Sequence, residues 1–170
     1  MSSLLLSAHI LAYGYTFGST TFHSYVSSVR AFGVLPLREF GKLQGQLFPI
    51  HFLTQAIGPI VIGLTAPYAI PTLGLGLLGV SSATGLLDYL CLLPACQKIK
   101  KERLAISDTK YGGDDAAAKA KDPEYQKLTK QFGKYHGLSL LVNLVSVLGV
   151  FGYAFIIGKN LTVLKSAVPK

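Results

Sequence analysis

Three long stretches of the chain carry no charge. Residues 1–29, 43–87 and 135–158 contain no Lys, Arg, Asp or Glu. They are 29, 45 and 24 residues long. A hydrocarbon layer about 30 Å thick is crossed by roughly 20 apolar helical residues. The middle block is long enough for two passes, so the pattern predicts four spans. A soluble helical bundle would show a charged face at the helical period. LLSAHILAYGYTFGSTTFHSYV and LLVNLVSVLGVFGYAFIIG show none. Only 14% of the 170 residues are charged, against a usual share of about 25%. The expected fold class is all-α: an integral membrane four-helix bundle with two interfacial amphipathic helices on the cytosolic side, in one domain over residues 1–170.

The spans are expected at residues 4–29, 48–67, 70–93 and 138–158, with a polar cytosolic loop over about 94–135. The first stretch lacks a basic leader and a clear cleavage site, so it reads as a retained span and not a signal peptide. Gly14 and Gly18 form a GxxxG that suits close helix contact. Ser7, Ser19, Thr20, Thr21, Ser24, Ser27 and Ser28 make this span rich in hydroxyls.

Pro36 opens the first amphipathic pattern. Leu37, Phe40, Leu43 and Leu47 fall opposite Arg38, Lys42 and Gln46, which suits a helix lying in the interface. Pro59 is expected to kink span 2, Ala66–Thr72 to form a tight hairpin, and Pro94 to close span 3. Partial disorder is expected around Ser107–Asp115. Asp122 suits a helix N-cap and Pro123 the first helical position. In the second amphipathic helix Tyr125, Leu128, Phe132 and Tyr135 share one side and Lys127, Lys130 and Lys134 the other. Gly137 then allows a bend into span 4.

The excess of basic residues is also placed unevenly. The connections 30–47 and 94–135 hold 3 and 10 Lys or Arg, and the C-terminal tail holds Lys159, Lys165 and Lys170. The positive-inside rule puts both connections in the cytosol and both termini in a lumen or outside. The expected location is an endomembrane or the plasma membrane, with a mitochondrial membrane as the alternative. Positive charge beside apolar spans points to anionic lipid head groups and to protein partners at the cytosolic loop, not to nucleic acid. Asn160-Leu161-Thr162 is a glycosylation sequon on the lumenal side, expected to be unused because it lies so near span 4.

Polar residues at membrane depth are the places to look for chemistry: His9 and His23 in span 1, His51 and Gln55 in span 2, Asp88 in span 3 and Asn143 in span 4. Asp88 is the only acid well inside an apolar stretch. It reads either as a proton or cation site with His23 or His51, or as an interfacial carboxylate paired with a basic residue such as Arg30. His9 reads as an interhelical hydrogen bonder. Cys91 and Cys96, with His9, are weak candidates for a soft metal, and no cofactor is expected. No nucleophile elbow, zinc-protease helix or phosphate loop occurs, so the expectation is a non-enzymatic protein.

Two blocks carry a resemblance. RAFGVLPLREFGKLQGQLFPIHF (30–52) and KDPEYQKLTKQFGKYHGLSLLVNL (121–144) resemble the transmembrane protein 205 family, and His9 and Gly18 fit its first helix. The matching positions are Leu35, Pro36, Phe40, Gln44, Phe48, Pro49, Tyr125, Tyr135, His136, Gly137, Leu138, Ser139 and Asn143. The chain departs at LLDYLCLLPACQ, where that family carries an Asn, an aromatic-rich run and Glu-Pro-Arg. The resemblance implies a four-helix membrane domain with no established catalytic residues, and a human member associated with tolerance of platinum drugs. The leading functional expectation is an adaptor, assembly or trafficking subunit. The alternative is an oligomeric efflux component for small solutes, drugs or soft metals, packed through Gly14/Gly18 or the span 3 glycines.

Overall fold

A computed structural model describes residues 3–166, with side chains to residue 161. Lys170 lies outside the described residues, as does the side chain of Lys165. No strand occurs among them. Four long helical rods account for most of the chain. The first is α1 (Ser3–Phe22), a π-helical turn at His23–Ser27, and α2 (Ser28–Val34). The second is α3 (Leu37–Leu64). The third is α4 (Thr72–Leu87), a second π-turn at Asp88–Leu92, and α5 (Leu93–Tyr111). A short α6 (Asp115–Lys121) leads into the fourth, α7 (Pro123–Ser166).

Three helices are long and apolar enough to cross a membrane: Leu37–Leu64, Thr72–Tyr111 and Pro123–Leu161. The first rod is less apolar because of its hydroxyls, yet several of these are satisfied within the helix. Ser7 donates to the Ser3 carbonyl (3.0 Å), Ser19 to Tyr15 (2.6 Å) and Thr20 to Thr16 (2.6 Å).

The rods pack with polar residues inside and apolar residues outside. His9, Gln55, Asp88, Ser81 and Ser146 are fully buried, while Leu11, Leu64, Leu73 and Phe155 are among the most exposed side chains. The apolar core is small: Ile62, Leu78, Val150, Tyr153 and Ile157. Close approach needs residues without a side chain. A Cβ on Gly85 would lie 2.6 Å from the Ala56 nitrogen, and one on Gly149 would strike the Ser81 hydroxyl. By contrast, Gly14, Gly18, Gly76 and Gly79 meet nothing within 4 Å. The GxxxG of the first rod therefore faces outward and packs no neighbour within the chain.

The polar segments differ most from expectation. Helix α2 runs to Val34, and only Leu35-Pro36 breaks the chain. Leu35 is extended (φ −99°, ψ 143°), as a residue before proline prefers. The amphipathic pattern after Pro36 is thus the first turns of α3 and not a separate interfacial helix. Pro94 does not close the third rod. It is the second residue of α5, just after the π-turn, where its missing N–H costs little.

The expected loop over 94–135 is helical almost throughout. It turns only at Gly112-Gly113, both with positive φ, and briefly at Asp114 and Asp122. Ser107–Asp115 is ordered because Arg38 gathers it from the start of α3. Its guanidinium donates to Asp108 (2.7 Å), Asp115 (2.8 and 2.9 Å) and Ser107 (3.0 Å). Asp122 caps α7 by accepting from the Glu124 and Tyr125 backbone N–H groups (2.9 and 3.0 Å).

The second amphipathic segment is likewise continuous with the long helix that follows it. Tyr125 and Leu128 are buried, facing α5, where the Arg103 guanidinium lies over the Tyr125 and Phe132 rings (4.9 and 5.5 Å). Protein covers this apolar face, leaving little of it for lipid. Gly137 makes no break, and α7 is one helix of 44 residues.

Candidate functional site

The registers between rods define where buried polar groups meet. Gly85 abuts Gln55 and Ala56, and Gly41 abuts Lys100. The Ser81 and Ser146 hydroxyls donate to each other's backbone carbonyls (3.0 and 3.1 Å). These contacts place two polar clusters at different depths.

The first cluster lies toward the chain termini. Buried His9 bonds through Nδ1 to the Ile62 carbonyl (3.0 Å) and through Nε2 to the Tyr68 hydroxyl (3.1 Å). A carbonyl only accepts, so Nδ1 carries the hydrogen and Nε2 accepts from Tyr68. Tyr68 in turn lies 3.3 Å from the Tyr153 hydroxyl. Ile62 is near the end of α3, where carbonyls lose their helical partners. His9 thus caps that end from a neighbouring rod and ties three rods and a connection together.

The second cluster lies toward the polar end and centres on Asn143 of α7. Its Oδ1 accepts from Gln55 Nε2 (2.5 Å) and His51 Nε2 (3.2 Å), and its Nδ2 donates to Ser24 Oγ (3.1 Å). His23 lies against His51, the rings tilted by 45° with centroids 4.6 Å apart, and bonds to Ser28 (3.3 Å). Phe48 sets its ring edge against His23 (5.6 Å). These donors and acceptors largely satisfy one another. Gln55 Oε1 and, one level away on α3, Gln44 Oε1 are buried without a hydrogen-bond partner.

Asp88 departs from that pattern. It is 0% exposed, and neither carboxylate oxygen has a hydrogen bond that meets ordinary geometry. The Ser139 hydroxyl of α7 and the Cys96 thiol of α5 are its polar neighbours. The expected pairing with Arg30 is absent. Arg30 is exposed, and among the described residues Asp88 forms no ion pair. Nor do His23 and His51 turn to Asp88; their ring contacts are with each other and with Phe48 and Phe52.

The remaining candidates are scattered. Cys91 is exposed and Cys96 half-buried, both as free thiols. His9 sits in the other cluster, so the three soft-metal candidates are not gathered. Among the described residues no group of three His, Cys, Asp or Glu is placed to hold a metal. Leu35 and Pro36 make the turn, and Phe40 packs against Phe32 (5.3 Å). Pro49 lies inside α3. His136 stacks on Phe132 (5.4 Å), while Tyr135 and Leu138 are exposed and Gly137 meets nothing within 4 Å. Lys127, Lys130 and Lys134 are exposed.

Sequence reasoning missed the bonding roles of Tyr68, Tyr153 and Ser24, and the hub role of Arg38. Each has its partner 59 to 119 residues away, beyond any local pattern.

A helical chain that is polar within, apolar without, and equipped with three helices long enough to cross a bilayer defines a membrane-type protein. Residues 11–105 match the domain of unknown function DUF4149, and the chain belongs to that family. It is also similar to a protein of Aspergillus fumigatus named xanthocillin biosynthesis cluster protein D, with 26% identity over 161 residues, covering 94% of this chain and 92% of that one. No solved structure matches it.

Proposed function

We propose that this chain is a non-enzymatic, four-span membrane protein that acts as an adaptor or assembly subunit, akin to the transmembrane protein 205 family. The first rod serves as the fourth span, since its hydroxyls are satisfied within the helix. The basic ends of the rods lie in the cytosol and both termini in a lumen or outside, in an endomembrane or the plasma membrane.

The observation that carries the reading is the built polar end. Arg38 fastens α3 to α5 and α6, Lys110 reaches Asp122 (3.0 Å), and Lys127, Lys130 and Lys134 stay exposed. Such a basic platform suits anionic lipid head groups and an acidic protein surface. One similar protein, from Aspergillus fumigatus, is named for a biosynthesis cluster, and we read a biosynthetic route as one setting for such an adaptor. The test is to isolate the native particle in mild detergent, from wild type and from K127E/K130E/K134E. A stoichiometric partner lost in the variant supports the adaptor. A wild-type particle that holds only this chain sinks it.

Buried Asp88 favours a second reading, an oligomeric efflux component. The outward-facing Gly14 and Gly18 offer a surface for a second copy. Asp88→Asn should then abolish solute flux in proteoliposomes while leaving the oligomer intact. Unchanged flux removes Asp88 from that mechanism.

A further inference from the structure

We propose that Asp88 is an exchangeable proton-binding site within the spanning part of the molecule, holding a proton in the packed conformation seen here. This deepens the second reading above and is independent of the adaptor role. Asp88 is fully buried, both its oxygens lack a hydrogen bond of ordinary geometry, and no cation pairs with it among the described residues. A carboxylate in that setting is strongly disfavoured by loss of solvation, and the group takes up a proton instead. The neutral acid gains a donor that it can offer to the Ser139 hydroxyl.

The backbone supports this role. The second π-turn begins at Asp88 itself, as the first begins at His23, and such turns recur at functional positions because they loosen a helix locally. Of the titratable groups on the elements packed against it, the Cys96 thiol of α5 is its neighbour. His51 of α3 turns to Asn143 and His136 of α7 to Phe132, while Lys100 donates to the Gly41 carbonyl and Lys42 to Glu39. Cys96 is half-buried. On release, the carboxyl O–H bond breaks, its electron pair stays on the carboxylate, and water admitted beside Cys96 takes the proton. On recharging, the same oxygen recovers a proton from water.

The test reads the proton directly. Of eight acidic residues, Asp88 is 0% exposed, and Asp122, the other buried one, accepts backbone hydrogen bonds and pairs with Lys110. Infrared spectra of the full chain in lipid vesicles should therefore show one protonated-carboxyl stretch at neutral pH. It should be absent in Asp88→Asn, should shift when aspartate is 13C-labelled at its carboxyl, and should fade reversibly as the pH is raised. No band at neutral pH overturns the proposal. So does a band that survives to the pH of unfolding, which would mark a locked proton. The labelled wild-type chain decides the matter even if Asp88→Asn fails to fold. The reading is independent of flux, so a proton site without transport would sink the efflux reading alone.

Discussion

Asn143 illustrates how single residues hold this molecule. Its amide joins α1's rod, α3 and α7 by accepting from Gln55 and His51 and donating to Ser24. Between membrane helices the apolar drive is weak, because lipid is as apolar as leucine, and hydrogen bonds of about 0.6–2 kcal/mol matter correspondingly more. Asn143→Leu should lower stability by about 1–2 kcal/mol, read as an earlier thermal transition in detergent. Gly85 holds the neighbouring α3–α4 interface by lacking a side chain. Gly85→Ala should cost about 1–3 kcal/mol by forcing α3 and α4 apart. Gly76→Ala, with nothing within 4 Å, should leave the transition in place. Equal effects of the two glycine substitutions would count against this packing.

At the scale of elements, the clasp at the polar end decides whether α6 exists. Seven residues make too short a helix to persist alone, and α6 depends on its Asp114 cap and on Arg38. Arg38→Gln should speed hydrogen exchange over 107–121 and leave the rods' interior amides unchanged. Exchange that rises everywhere would mean that Arg38 supports the whole fold. Acid should loosen the same region. Hydrogen bonding from Arg38 holds the Asp115 carboxyl below its usual range. The Tyr125 backbone N–H, followed by Lys110, does the same for Asp122. A depressed carboxylate stabilises fully above its unfolded value of about 3.9 and loses that contribution as pH falls through its folded value. Exchange over 107–125 should therefore rise below about pH 4 before the rods respond.

At the scale of the whole molecule, the proposed four spans would put both termini on one side and the Gly112-Gly113 turn on the other. A protease site inserted at that turn should be cut from the cytosolic side of sealed vesicles, while an N-terminal tag stays protected. Cleavage at both from one side would mean that the first rod does not cross. The proposed topology would leave the outward GxxxG and the lysine face of α7 available together, one within the bilayer and one at its edge.

Much of this was legible in the chain alone. Uncharged blocks of span length leave few alternatives to membrane helices, and Asp122-Pro123 announces the start of α7 through local backbone chemistry. Of the six polar residues singled out at depth, His9, His51, Gln55, Asp88 and Asn143 are buried and His23 is half-buried, because a polar group in an apolar block is expelled from lipid toward other helices. What each of them touches was not legible. The pairing of Asn143 with Gln55, the clasp of Arg38 on Asp115 and the lack of an ion pair at Asp88 depend on rods meeting in register across dozens of residues. The polar segment 94–121 also carries no membrane signal and reads as a loop. Ion pairs supplied by α3, the packing of α5 on α7 beneath Arg103, and a π-turn ahead of Pro94 turn it into structure. Local pattern determined where the chain leaves water, and tertiary contact decided what its buried polar groups hold.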